Sequence, residues 1–82
     1  MEKSLAELIE LIGGEIQDIQ GDSQMIVRGI APFDHAGSED ITFADSPKIL
    51  KRISESNAGA VIVPKKFQQN VSANLIKSEL AS

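Results

Sequence analysis

The chain has 82 residues, 41% of them apolar, with twelve acidic and eight basic side chains and a formal charge of −4. That is the length of one small domain, too apolar for a disordered tail and of the wrong charge for a protein that grips nucleic-acid phosphates without regard to sequence. There is no cysteine and only one histidine, which excludes disulfides, thiolate chemistry, cysteine-ligated metals and a two-histidine metal site within the chain.

The first element is the most strongly marked. "SLAE", residues 4–7, is a capping box in which the serine oxygen and the glutamate each satisfy a free backbone N–H. Leu5, Leu8, Ile9 and Ile12 follow at i, i+3, i+4 and i+7, one apolar helix face. Gly13 and Gly14 stop the helix, because glycine takes the left-handed conformation without a Cβ penalty. "EIQDIQ" reads as a short strand, "GDSQ" as a turn and "MIVRGIA" as a second strand. Ile26, Arg28 and Ile30 share one face of it, Met25, Val27 and Gly29 the other. The turn is expected to let these two strands pair.

Residues 32–40, "PFDHAGSED", form a polar loop, and "ITF" a short strand. Ser46 and Pro47 then start a helix: proline disfavours helical geometry in the residue before it and is preorganised for the first helical position. Ser46 is the N-cap. Ile49, Leu50 and Ile53 face inward; Lys48, Lys51, Arg52 and Glu55 face out, and "SNAG" ends the helix. "AVIV", residues 60–63, is apolar on both faces, the mark of a strand buried between layers. "KKFQQNVSA" is a turn or short helix, and "NLIK" a last strand. The order α-β-β-β-α-β-(α)-β predicts an α/β fold, a single small layered domain with a mixed sheet and flanking helices.

Few residues point to chemistry. No glycine-rich phosphate loop is present. His35 sits in a polar loop beside Asp34 and reads as structural or solvent-exposed. The scattered aspartates fall in turns, where their side chains bond the local backbone. No catalytic site, metal site or cofactor is expected. Lys48, Lys51 and Arg52, near a helix start, are the candidates for phosphate contact, since free N–H groups attract anions; the competing reading is a solvated outer face. No apolar run approaches the ~20 residues of a membrane span, and no basic head precedes an apolar core. The expected location is the cytoplasm.

"GDSQMIVRGIAPFDHAGSEDITFADSPK" followed by "NAGAVIVPKKF" resembles the N-terminal non-repeat domain of the LpxD family, the UDP-3-O-(3-hydroxyacyl)glucosamine N-acyltransferases of lipid A synthesis. The opening helix, "GD…I.GIA", "A…DITF…PK" and "AGAVIV" recur in order over nearly the whole chain, so the specificity lies in their succession. The resemblance implies that residues 1–82 are one such domain, with a fold similar to Mur-ligase N-terminal domains. It implies a catalytic left-handed β-helix that these residues, lacking a hexapeptide period, do not include. That β-helix would carry the catalytic histidine and the acyl-carrier-protein contact and would assemble three subunits; the domain alone is expected as a monomer.

The resemblance gives the domain itself a non-catalytic role, binding the uracil end of a UDP-linked glucosamine. The family's uracil contacts follow Phe-x-x-Asn-x-x-Tyr across "DITFADSPKILKRI". Phe43 matches, Ser46 stands in the asparagine position and Ile49 in the tyrosine position. Serine cannot present both the donor and the acceptor of an amide. Isoleucine lacks aromatic stacking, worth ~1–3 kcal/mol per base, or roughly 5- to 150-fold in affinity. Phe43 reads equally as a base platform and as a core aromatic closing the sheet edge, while Ser46 and Ile49 have ready explanations as helix cap and core. The alternatives are a stand-alone interaction module that keeps the fold without binding uridine, and a Mur-ligase-type N-terminal domain.

Overall fold

A computed structural model describes residues 2–69 and 71–81. The capping box forms: Ser4 Oγ accepts from the Glu7 N–H and Glu7 Oε1 accepts from the Ser4 N–H, both at 3.1 Å. It opens helix α1, Leu5–Leu11, which buries Leu5 and Ile9 and is followed by Gly13 at φ +77°.

Among the described residues, seven strands follow in order: β1 Lys3–Ser4, β2 Ile19–Gln20, β3 Ile26–Val27, β4 Gly29–Ile30, β5 Asp40–Phe43, β6 Ala60–Val63 and β7 Leu75–Lys77. Five of them build a mixed sheet in the order β2-β7-β6-β5-β4, with β4 to β7 parallel and β2 antiparallel at one edge. A separate two-stranded sheet pairs β1 with β3.

β6 is buried along its whole length and alternates between two cores. Ala60 and Ile62 join Leu5, Ile9, Val27, Ile41 and Ile76 on the α1 face. Val61 and Val63 join Phe33, Ala44, Ile53, Phe67 and Leu75 on the other. That second face is covered by helix α2, Pro47–Leu50, a 3-10 turn at Ile53–Glu55 and the loops around Phe33 and Phe67. The layered α/β architecture read from the sequence is therefore present.

Four local expectations are corrected. The strands flanking "GDSQ" do not pair with each other; β2 pairs with β7 instead. Asn74 holds the turn there, its Oδ1 accepting from the Asp22 N–H at 2.9 Å and its Nδ2 donating to the Gly59 carbonyl at 3.0 Å. Gly21 lies against it at φ +99°, where a Cβ would run into the Asn74 side chain. "EIQDIQ" is a strand only in its last two residues; Ile16–Asp18 is a 3-10 turn, closed by the Glu15 N–H donating to Asp18 Oδ2 at 3.0 Å. "MIVRGIA" is divided, with β3 going to β1 and β4 to β5. Arg28 at the break is drawn out by ion pairs to Glu2 and Glu39. Finally, α2 is a single turn. "SESN" sustains a helix poorly because serine and asparagine bond nearby backbone instead, as Ser56 Oγ does in accepting from the Ala58 N–H at 3.1 Å. In "KKFQQNVSA", Lys65 and Lys66 form a turn, and Asn70 lies outside the described residues.

Candidate functional site

Ligands of open α/β sheets bind in the crevice outside the carboxyl ends of the parallel strands. Here that rim holds Phe43 at the end of β5, the segment 31–33 leaving β4, and Ser46 opening α2. β5 outlasts its neighbour. The β4–β5 ladder pairs Gly29 with Asp40 and Ile30 with Ile41 and then stops, leaving Thr42 and Phe43 without a partner on that side. Beyond Ala31 the chain turns away, with the Pro32 carbonyl accepting from the His35 and Ala36 N–H groups.

Phe43 pairs with Ile62 of β6 and points, like Ile41, to the α1 face of the sheet. The residue is 42% exposed, far more than a core aromatic. Ser46 caps α2, its Oγ accepting from the Ile49 N–H at 3.3 Å; the O–H is still available as a donor. Ile49 packs on the second core with Leu50, on the face opposite Phe43. The fold thus joins Ile49 to Ser46 through the cap hydrogen bond and packs Ile49 on the second core, not on the face to which Phe43 points.

Lys48 and Lys51 are exposed on the outer side of α2. Arg52 is engaged: its Nη2 donates to Asp34 Oδ1 at 2.7 Å, its Nε to Glu55 Oε1 at 3.4 Å, and its guanidinium carbon lies 5.6 Å from the Phe33 ring centroid. The hydrogen bond to Asp34, aided by the negative charges of Asp34 and Glu55, holds the Arg52 proton more firmly than usual. Two carboxylates thereby offset the charge a phosphate would seek. His35 is exposed in its loop.

Two residues that sequence reasoning missed border the gap at the end of β5. Phe33 is nearly buried and shares with Phe43, Thr42 and Pro32 a cleft of about 350 Å³. Its one sequence signal was an aromatic in an otherwise polar loop. Thr42 is 1% exposed, and its Oγ1 has no hydrogen-bond partner among the described residues. No sequence signal marks an unpaired hydroxyl. Among the described residues, no group of three or more histidines and carboxylates is placed to hold a metal ion, and no helix is long and apolar enough to cross a membrane.

Comparison with known proteins gives a consistent picture. The sequence model of the family described as UDP-3-O-(3-hydroxymyristoyl) glucosamine N-acyltransferase, LpxD, matches residues 24–81. A UDP-3-O-acylglucosamine N-acyltransferase of Desulfosudis oleivorans is 43% identical over 67 residues, covering 82% of this chain and 19% of the relative. The enzyme of the same name from Syntrophotalea carbinolica is 45% identical over 60 residues, 73% of this chain and 17% of its own. That of Burkholderia multivorans is 38% identical over 73 residues, 89% and 19% respectively. The chain spans about one fifth of the length of these relatives.

Proposed function

The chain belongs to the LpxD family of N-acyltransferases, and from that premise we propose that residues 1–82 are its N-terminal non-repeat domain, which recognises the uracil end of a UDP-linked glucosamine. The domain is non-catalytic. Acyl transfer from an acyl carrier protein to the sugar amine belongs to a left-handed β-helix outside these residues, in a cytoplasmic enzyme that assembles as a trimer. The observation that supports this reading is Phe43, a large aromatic left 42% exposed at the carboxyl end of a parallel strand, where a base can stack for ~1–3 kcal/mol. The free O–H of Ser46 donates to a uracil carbonyl, and Lys48 on α2 and Lys51 at its C-cap are exposed to meet the phosphates.

Titration of the chain with UDP, followed by amide chemical shifts, tests the reading. Shifts are expected to centre on residues 42–49, and Phe43→Ala is expected to remove them. No shift at millimolar UDP overturns the uridine assignment. A second reading has its own support: Ser46 serves as a cap and Ile49 as core, so the scaffold holds together without a ligand, as an interaction module would. A silent UDP titration with an intact fold favours that module.

A further inference from the structure

The uridine reading leaves a gap, since positions 46 and 49 no longer carry the amide and the second aromatic. The geometry points to their replacement from the β4 side of β5: we infer that the base lies in the slot beyond the end of β4, between the rings of Phe43 and Phe33, with its edge read by the Phe43 backbone and the Thr42 hydroxyl. This rests on the uridine assignment above and deepens it.

Three observations carry it. The first is the ladder. The Ala31 N–H donates to the Ile41 carbonyl at 3.2 Å, whereas the Ala44 N–H donates to Ile62 on the other side at 2.9 Å. With a period of two, the N–H and C=O of Phe43 point, like those of Ile41, toward β4, which has already ended at Ile30. One donor and one acceptor therefore face an open slot. The uracil edge offers a carbonyl beside an N–H, which complements that pair.

The second observation is the position of the two aromatics. A base bonded to the β5 edge lies close to the sheet plane. Phe43 projects to the α1 face, and Phe33 belongs to the core of the opposite face. Both border the same cleft. One ring thus stands on each side of the base, and Phe33 supplies the wall that the isoleucine at 49 cannot. Arg52, 5.6 Å above Phe33, holds that ring in place.

The third is Thr42. A buried hydroxyl without a partner is costly and calls for an explanation. Thr42 also borders this cleft. In this reading a carbonyl of the bound base supplies the partner that the hydroxyl lacks.

The test compares UDP with its N3-methylated analogue on the 82-residue chain, alongside Thr42→Val and Phe33→Leu. The expected result is at least fivefold weaker binding of the methylated compound and a downfield shift of the Phe43 amide proton with UDP. Thr42→Val is expected to bind UDP about three- to tenfold more weakly while unfolding at a higher temperature, because it removes an orphaned hydroxyl. A purely structural threonine would raise stability and leave affinity alone. Phe33→Leu keeps an apolar side chain in the core and is expected to weaken UDP about fivefold. UDP binding that is indifferent to N3-methylation and to both substitutions overturns the slot while leaving the Phe43 site standing. Absence of UDP binding by the folded wild type overturns both.

Discussion

At the scale of single residues, the same side chain often answers to two demands, and magnitude decides between them. Ser46 is both cap and candidate base contact. Asparagine caps helices as well as serine does and adds the missing amide, so Ser46→Asn is expected to leave thermal stability within about 0.5 kcal/mol and to tighten UDP binding, measured by titration calorimetry. Ile49→Tyr should not help, although it restores the family's residue type. Ile49 packs on the second core, away from Phe43. Forcing a larger ring into that packing costs ~1–3 kcal/mol, readable as a lower urea midpoint without tighter binding. Asn74 was no more than a strand-start residue in the sequence, yet it joins the Asp22 turn to the Gly59 carbonyl. Asn74→Ala leaves both groups without that partner, at an expected cost of ~1–3 kcal/mol in denaturant unfolding.

At the scale of elements, local chemistry and tertiary pairing divided the work unequally. α1 follows from its sequence: box, apolar stripe and glycine stop all agree. Its Glu7 carboxyl is held below the ordinary value of 4.5, chiefly by the hydrogen bond from the Ser4 backbone N–H. A carboxyl depressed in the folded state lends stability that is present above its unfolded value and lost as pH falls through its folded value. Wild type is therefore expected to lose more stability than Glu7→Gln between about pH 5 and pH 3, as compared by thermal unfolding, because glutamine still accepts the bond but does not titrate. The turn at Gly21 works differently. Its positive φ and the approach of Asn74 mean that Gly21→Ala combines backbone strain with a collision. A loss of at least ~1 kcal/mol is expected, together with weakened protection of the β2 amides in hydrogen exchange.

For the molecule as a whole, one central strand ties two small cores together, since Ala60 and Ile62 face one and Val61 and Val63 the other. Unfolding should then be a single cooperative step. Leu5→Ala on one face and Ile53→Ala on the other are each expected to cost ~2–5 kcal/mol, seen as a lower urea midpoint with an unchanged slope. In so small a domain either loss is a large part of the total. The elements α1, β5, β6 and β7 and the Ser46–Pro47 helix start were legible in the sequence because each is set by neighbours within a few residues: a capping pair, an apolar run, a proline after a serine. The partners of β2, β3 and β4 were not, because two-residue strands carry no period and pair with whatever distant backbone the fold presents. The candidate site divides the same way. Phe43 was visible as an aromatic at a strand end. The placement of Phe33 across the sheet, the separation of Ile49 from Phe43 and the unpaired hydroxyl of Thr42 were decided only when β4 stopped two residues short of β5 and the loop after Pro32 folded back, contacts between segments that no local pattern encodes.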